Sequence, residues 1–386
     1  MRFFVHIAIL FMVFVLNSNA QEIRIGLFYG VKLKTATASI GHGEYVLKVD
    51  SLVVDSLSKG DEVLFHYIGG ETIAKSGDES YTGKEVILIH QGETDFFTLK
   101  GTSPVTKLHS YHGDLSMKVT KGKFQPVNKV ETDHYLAGVI ESEGGGGKHL
   151  EYYKVQALMS RSYALRNKNR HEKEGYQLCD AVHCQAYHNR CRYTPKINEA
   201  VYATRGEVIV DQNDKIITTY FYANCGGQTS EASYVWNTDV SYCLPFIDTF
   251  CIHTHQANWE KRISKYKWEK FIKDEYGVDL SEPGLDEYAY NFVQEQRKAF
   301  YIHPSLGIPL RDLRSEFGLK STFFNVNLEG DEVVLHGKGF GHGVGLCQEG
   351  AMEMAELGYH YSQIALYYFS GAKLKRFGSS DHSIMK

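Results

Sequence analysis

The chain of 386 residues lacks several features that mark particular classes of protein. It has only seven prolines, and no Pro-rich linker, low-complexity tract or internal repeat divides it. Its formal net charge of −4 gives no basic footprint, so nucleic acid is not an expected partner. Beyond residue 20 it has no apolar run of the roughly 20 residues that a membrane span needs. The hydrophobic content of 43% is that of an ordinary globular protein. The length of the chain allows two or three domains, or one large domain with insertions.

The first 20 residues predict a secretory signal peptide. Arg2 precedes the apolar run Phe3–Leu16, which only His6 interrupts, and Ser18-Asn19-Ala20 supplies the small residues that a signal peptidase reads. The apolar run is too short for a comfortable membrane span. We therefore expect an exported protein of the periplasm or cell envelope, with a mature chain beginning near Gln21 and no membrane span after signal removal.

The order of the sequence patterns predicts an α+β fold, β-rich, with mostly antiparallel strands around a central buried helix. Residues 21–119 form a β-rich region of short runs punctuated by glycine, and a second domain of 120–372 precedes a C-terminal tail of 373–386. The central helix is expected over about 148–169, which contain no Gly or Pro and carry apolar residues three and four apart. Before it, the apolar run ending at Gly138-Val139-Ile140 resembles a strand.

Further elements are expected after the central helix. The patterns predict paired strands at 207–210 and 216–222, helices at 259–276 and 287–300, a hairpin at 323–336, and helices at 348–357 and 361–369. Between the hairpin and the last two helices, residues 338–346 contain too much glycine for regular structure.

Seven cysteines in an exported chain cannot all pair with one another. The loop 171–192 is a candidate zinc site, since zinc favours four thiolate or imidazole ligands. The nominated ligands are His171, Cys179, His183 and Cys184, with Cys191 and His188 as substitutes. Disulfide bonding is the alternative in an exported protein, and the spacing does not decide between the two. Cys243 and Cys251 flank a Pro245 turn and can form a small disulfide, whereas Cys225 and Cys347 are interpreted as buried free thiols.

Five blocks of sequence resemble those of the stage II sporulation protein D / LytB family of exported cell-wall proteins. The blocks are Tyr135–Glu143, Lys154–Ala164, Cys225–Thr229 with Val235-Trp236, Arg314–Phe324 and Gly339–Ala351. They occur in the family's order between residues 120 and 372, which identifies this segment as the SpoIID-like catalytic domain. Three departures concern the fine geometry of the site: four glycines follow Glu143 where a Met-Pro pair is common, and Cys225 and Cys347 stand where many members have serine.

The resemblance implies a lytic transglycosylase that cleaves the glycan strands of peptidoglycan, especially strands stripped of their peptides. It implies that Glu143 is the single catalytic acid/base, and no cofactor is required for that chemistry. Such a carboxyl must have a pKa raised by partial burial. Glu141 is a rival or second carboxylate, because in an extended segment Glu141 and Glu143 would point to the same face.

Further residues of the matching blocks are candidates for substrate binding, each with a structural alternative. Arg161 can either hold a substrate group or brace buried carbonyls, His342 is either part of the active-site lining or a turn histidine, and Trp236 either stacks on a sugar or belongs to the core. Gly226, Gly227 and Thr229 are expected to shape a cleft wall. Gln156 and Gln348 complete the candidate set. The resemblance also supports structural zinc, since some members carry zinc just after the central helix.

Two other functions stay open on the sequence. One is a non-catalytic wall-binding protein that recruits or stimulates a peptidoglycan amidase, as other family members do. The other is an ordinary glycoside hydrolase, which would need a second carboxylate roughly 5–9.5 Å from Glu143, with Glu141 as the sequence-level candidate. A role in sporulation does not follow from the family's name.

Overall fold

The computed structural model describes residues 21–376, and the predicted signal peptide lies outside the described residues. The strands are β1 (Glu22–Gly26), β2 (Thr35–His42), β3 (Glu44–Val49), β4 (Leu52–Ser58), β5 (Glu62–Ile68), β6 (Glu71–Ser76), β7 (Glu79–Gly83), β8 (Glu85–His90), β9 (Phe96–Ser103), β10 (His109–His112), β11 (Asp114–Thr120), β12 (Lys123–Glu131), β13 (Leu178–Cys179), β14 (Glu207–Val210), β15 (Phe221–Tyr222), β16 (Asn258–Ser264), β17 (Phe324–Glu329), β18 (Glu332–Lys338), β19 (Leu346–Cys347) and β20 (Lys373–Arg376). The α-helices are α1 (Thr132–Gly144), α2 (Leu150–Arg166), α3 (Pro195–Ala203), α4 (Ser233–Trp236), α5 (Lys265–Tyr276), α6 (Leu285–Tyr290), α7 (Leu310–Glu316), α8 (Gln348–Glu356) and α9 (Tyr361–Tyr368). The α+β, β-rich prediction is confirmed.

Two mostly antiparallel sheets dominate the first part of the chain. One has the strand order β13-β1-β12-β11-β8-β3-β4 and the other β10-β9-β2-β5-β6-β7. Alternate residues are buried along strands such as β2, where Ala36, Ala38 and Ile40 point inward. These inward residues share one hydrophobic core with α1 and α2. Strand β12 belongs to this N-terminal sheet, because it pairs with β1 and β11, so the predicted boundary between 119 and 120 falls within the β11–β12 hairpin.

The run before the central helix is itself a helix, so its strand-like interpretation was wrong. Tyr135, Leu136, Val139 and Ile140 are buried at helical spacing within α1. Gly138 lowers helix propensity, and β-branched residues follow it, which explains the misleading pattern. The structure needs glycine there, because a Cβ at Gly138 would overlap the backbone carbonyl oxygen of Asn189 and the ring of Tyr187. The close approach holds the loop after Cys184 against α1.

Residues 258–338 form an inserted unit with a hydrophobic core of their own, built from β16–β18 and α5–α7. Two predicted helices were wrong in extent. The segment 259–276 begins as strand β16, and Ser264 then caps α5 by accepting the backbone N–H of Lys267. The segment 287–300 is helical only over Leu285–Tyr290. The insertion leaves and returns at one place, since the backbone N–H of Gly339 donates to the carbonyl oxygen of Ala257 at 2.8 Å.

The C-terminal part completes the larger core. The predicted hairpin of β17 and β18 and the predicted helices α8 and α9 are confirmed. The expected pairing of 207–210 with 216–222 is reduced to a bridge between Val210 and Ile216, because β14 pairs along its length with β20. Residues 373–376 of the predicted tail are therefore a strand. Within 21–376, no helix combines the length and the apolar character that crossing a membrane requires.

Candidate functional site

Glu143 lies in the last turn of α1 and is half-buried. Its Oε1 accepts the backbone N–H of Ala186 at 2.9 Å, and the neighbouring Ser142 hydroxyl accepts the backbone N–H of His188 at 3.3 Å. Burial raises the pKa of Glu143, and the Ala186 N–H and the nearby His188 oppose that rise only in part. The carboxyl-terminal end of the α1 dipole also disfavours a negative charge. The site therefore holds a carboxyl that retains its proton at higher pH than an ordinary glutamate.

The glycine turn after Glu143 places no side chain over that carboxyl. Gly145–Gly147 are exposed and carry no side chains, and Gly145 and Gly147 adopt positive φ angles of 64° and 77°. The Tyr153 hydroxyl fixes the turn by accepting the Lys148 N–H at 3.0 Å and donating to the Gly145 carbonyl oxygen at 3.1 Å. The turn is thus open to solvent yet held in one conformation.

Glu141 does not share a face with Glu143, contrary to the extended-strand expectation. Residues two apart on an α-helix are separated by about 200°. Glu141 instead accepts the backbone N–H groups of Arg192, Tyr193 and Thr194 at 2.9, 2.9 and 3.0 Å. Burial alone would raise the pKa of Glu141, but these donors and the Cys191 thiol outweigh it and hold the pKa below its usual value. Glu141 therefore orders the loop before α3.

The four nominated zinc ligands lie together. One ligand atom from each of His171, Cys179, His183 and Cys184 falls within 4.8 Å of all the others. The Nε2 atom of His171 is buried without a hydrogen-bond partner among the described residues, while its Nδ1 contacts Glu174 Oε1 at 2.8 Å. A carboxylate on one ring nitrogen and a free, buried second nitrogen is the arrangement of a zinc-bound histidine. The residues therefore fit a tetrahedral zinc ion.

The two substitute ligands lie outside this cluster. The Cys191 thiol contacts Glu141 Oε1 at 3.5 Å, and the backbone N–H of His188 donates to the Ser142 hydroxyl at 3.3 Å. The cluster and Glu143 are adjacent along the chain, because Ala186 comes two residues after Cys184. Arg170 ties the cluster to α2, since it donates to the His183 carbonyl oxygen at 2.9 Å and to the Tyr163 hydroxyl at 2.6 Å.

Trp236 and His342 form an aromatic surface with Tyr220 and Tyr222. The Trp236 ring lies 4.5 Å from that of Tyr220 and 5.2 Å from that of His342, and His342 lies 5.4 Å from Tyr222. Trp236 is 40% exposed, which excludes the core alternative and fits a stacking platform. Burial lowers the pKa of His342 to about 4, with Arg314 acting in the same direction, so its imidazole is neutral at pH 7.

Tyr152 connects Glu143 with the second glycine-rich block. Its hydroxyl is buried without a hydrogen-bond partner among the described residues. Burial raises its pKa, and Glu143, Cys347 and the Gln348 side chain all lie close enough to influence that pKa. Gln156 lies one turn further along α2, and its buried Nε2 also has no partner in the described chain. Gln156 therefore lies on the same face of α2 as Tyr152. Gln348, at the start of α8, lies close to the Tyr152 side chain.

The remaining candidates of the third block are structural. Gly226 and Gly339 approach so closely that a Cβ on Gly226 would lie 2.6 Å from the Lys338 backbone carbonyl carbon. Thr229 is buried, and its hydroxyl accepts the Phe246 N–H at 2.8 Å. Gly227 has a φ of 100° and follows on the same turn. The role of these residues in a cleft wall stays a prediction, and the Thr229 hydroxyl is already engaged by the Phe246 N–H.

Arg161 takes the second of its two predicted roles. Its guanidinium is buried and donates to the carbonyl oxygens of Thr204, Glu207 and Val201 at 2.7, 3.3 and 3.1 Å. Asp133 lies 3.7 Å away as a counter-ion. The side chain braces the end of α3 and has no donor pointing to the site.

All seven cysteines are free, so the disulfide suggested for Cys243 and Cys251 is wrong. The Cys251 sulfur instead lies 3.1 Å from that of Cys225. Sequence reasoning also missed Ala186 and Tyr152. Ala186 acts through its backbone N–H, which no residue pattern marks, whereas Tyr152 comes five residues after the last glycine of the turn and could have been considered.

Comparison with known proteins agrees with these blocks. Residues 120–210 match the family model described as "SpoIID: Stage II sporulation protein". The chain is 26% identical over 280 residues to the stage II sporulation protein D of Bacillus subtilis, covering 67% of this chain and 79% of that protein. It is 28% identical over 288 residues to an uncharacterised protein of Brachyspira hyodysenteriae, covering 72% and 74%. It is 25% identical over 297 residues to the amidase enhancer of Bacillus subtilis, covering 62% of this chain but only 40% of the enhancer. The matched domain and these likenesses support the resemblance to the stage II sporulation protein D / LytB family.

Proposed function

We propose that this protein is an exported lytic transglycosylase that cleaves the MurNAc–GlcNAc bond of peptidoglycan glycan strands. The observation that supports it is the position of Glu143, half-buried at the carboxyl end of α1 with a raised pKa and held by the Ala186 N–H. A carboxyl with a raised pKa beside an open glycine turn suits the protonation of a glycosidic oxygen. Export, which the first residues predict, would place the enzyme with this substrate.

One carboxyl is sufficient for the reaction. Glu143 donates its proton to the glycosidic oxygen as the bond to the anomeric carbon breaks, and the GlcNAc alcohol leaves. The resulting carboxylate then removes the proton of the 6-hydroxyl of MurNAc, whose oxygen attacks the anomeric carbon and closes the 1,6-anhydro ring. No water is consumed. Glu141, the sequence-level candidate for a second carboxylate, is bonded to the 192–194 loop, which argues against a hydrolase.

The other residues of the site bind and position the glycan. Trp236 offers an exposed apolar face for a sugar ring, and the neutral His342 beside it can donate or accept a hydrogen bond. A zinc ion held by His171, Cys179, His183 and Cys184 would supply a structural cross-link next to Ala186. The proton transfers need only Glu143.

The alternative is a wall-binding protein that stimulates a peptidoglycan amidase. The likeness to the amidase enhancer favours it, although this chain covers 40% of that protein. It predicts glycan binding and amidase stimulation that do not depend on the Glu143 carboxyl. The raised pKa of that carboxyl has no role in this alternative.

The products of glycan cleavage distinguish the two functions. Purified protein incubated with peptide-free glycan strands is expected to release fragments that end in 1,6-anhydro-MurNAc, detected by mass spectrometry as a loss of one water relative to hydrolytic products. Reducing ends would indicate a hydrolase. Intact strands, together with faster peptide release when an amidase is added, would instead support the enhancer alternative.

Trp236→Ala is expected to weaken glycan binding. Loss of one sugar-stacking face costs about 1.4 kcal/mol, so KM should rise about tenfold with a smaller change in kcat. Tyr266→Ala is the matched control, because Tyr266 is 72% exposed on α5 of the inserted unit. An equal effect of both substitutions, or none from Trp236→Ala, would contradict the stacking role.

A further inference from the structure

A second cluster of metal-binding side chains lies apart from the first. It comprises the three thiols of Cys225, Cys251 and Cys347 and the carboxylate of Asp248, all four buried. One ligand atom from each lies within 4.8 Å of the others, with 3.1 Å between the sulfurs of Cys225 and Cys251 and 3.4 Å between Cys225 Sγ and Asp248 Oδ2. Distant parts of the chain contribute these groups, since β15 precedes Cys225 and Cys347 ends β19.

The dimensions fit a single ion. A tetrahedral zinc ion with Zn–S bonds of about 2.3 Å holds its sulfurs about 3.8 Å apart, which lies within the observed spread of the cluster. Three thiolates and one carboxylate suit zinc and exclude magnesium and calcium, which take oxygen ligands. A disulfide between Cys225 and Cys251 would use two of the four groups and leave the Cys347 thiol and the Asp248 carboxylate buried beside it.

The backbone around the cluster favours thiolates. The sulfur of Cys347 caps α8, accepting the backbone N–H of Gly350 at 3.4 Å and that of Cys225 at 3.3 Å. The sulfur of Cys225 accepts the N–H of Gly227 at 3.3 Å. N–H donors and a helix amino terminus stabilise negative charge on sulfur. The ligand sulfurs thus have the surrounding hydrogen bonds that metal sites use to orient their ligands.

A buried cation next to the cluster also needs negative charge. The guanidinium of Arg297 is 7% exposed and donates to the carbonyl oxygens of Cys225 and Gln228 at 2.7 and 2.8 Å. Within residues 21–376, no carboxylate oxygen lies within 4 Å of its nitrogens. An unpaired buried guanidinium is costly, and a thiolate-rich metal site beside it would supply the missing charge.

We propose that Cys225, Asp248, Cys251 and Cys347 bind a second zinc ion that fixes the wall of the site. The ion would join the turn of Gly226 and Gly227 to the end of the glycine-rich block that carries His342, at the place where the inserted unit leaves and returns.

Metal counting tests this proposal. Full-length protein purified with reductant and loaded with zinc is expected to hold two zinc ions per chain by mass spectrometry of the metal, and Cys251→Ser one. Cys179→Ser, in the first cluster, should also hold one. Cys243→Ser is the matched control, because Cys243 is buried outside both clusters, and it should keep two.

Each other result has a defined meaning. If Cys251→Ser still holds two zinc ions per chain, the second site is overturned. It is also overturned if peptide mapping of the wild type, without added oxidant, finds a disulfide between Cys225 and Cys251. A count that falls only in Cys251→Ser supports the second site even if the first holds no metal. If Cys251→Ser does not fold, metal-free wild-type protein is titrated with Co²⁺ and the thiolate-to-cobalt absorption is followed. Saturation at two equivalents of Co²⁺ supports the proposal. Saturation at one equivalent, with no absorption in Cys179→Ser, overturns it.

Discussion

Replacement of Glu143 by glutamine should reduce the rate of glycan cleavage about 10³-fold while the protein stays folded. Glutamine has nearly the shape of glutamate and can keep the hydrogen bond with the Ala186 N–H, but it cannot donate a proton to the glycosidic oxygen. The reaction has no second carboxylate to replace it, since Glu141 is engaged by the loop before α3. Production of 1,6-anhydro ends per unit time is the measurement.

Two controls separate catalysis from folding. Glu199→Gln makes the same change on the exposed face of α3 and should leave activity unchanged. Glu141→Gln removes a carboxylate that orders 192–194, so it should lower thermal stability more than Glu143→Gln does. Retention of anhydro products by Glu143→Gln would remove the proposed function, whatever the stability of the variant.

The pH dependence gives the same prediction a second measurement. The pKa of Glu143 is raised above its ordinary 4.5 by burial, so the proton-donating form persists above that pH and kcat/KM should fall as pH rises through the raised pKa. The folded state also binds this proton more tightly than the unfolded state. The resulting stability is complete below the unfolded pKa and lost as pH rises through the folded one. Glu143→Gln should therefore be at least as stable as the wild type at pH 8.

Loss of metal from the first cluster should destabilise the protein and lower its activity indirectly. A zinc ion present at roughly a thousandfold its Kd stabilises the folded state by about 4 kcal/mol. Its removal leaves two thiols and two imidazoles of the cluster without their partner and releases the segment that carries Ala186. Chelation, or the variant His171→Ala, should lower Tm and also raise KM or lower kcat, because the carboxyl loses its positioning donor.

The metal prediction is checked by calorimetry and metal analysis together. Zinc added back after chelation should restore Tm and activity, and magnesium should not. Cys243→Ser again serves as the control for a buried thiol outside the cluster. A protein that contains no zinc after loading and shows the same Tm with and without chelator would contradict the structural metal. Because Glu143 alone moves the protons, complete inactivation without any change in Tm would also be inconsistent with a structural role.

The local sequence was sufficient to predict those helices and strands whose spacing of apolar residues and whose turn residues mark their ends. Helices α8 and α9 follow apolar spacing and stop signals, and the β17–β18 hairpin surrounds a clear turn. The four zinc-ligand candidates lie within fourteen positions of one loop, 171–184, and the structure brings their side chains together, while their role as zinc ligands stays a prediction. The order of the five family blocks pointed to Glu143 without any knowledge of its surroundings.

The sequence by itself determined the order of the five family-like blocks and the residue types of the candidate site, and its first residues predict export. Only the tertiary structure decided what those residues contact. It made the segment before the glycine turn a helix, α1, and so turned Glu141 away from Glu143. It placed Trp236 at the surface and gathered Cys225, Cys251 and Cys347 into one buried cluster. Such contacts join residues far apart in the chain, and no local periodicity can encode them.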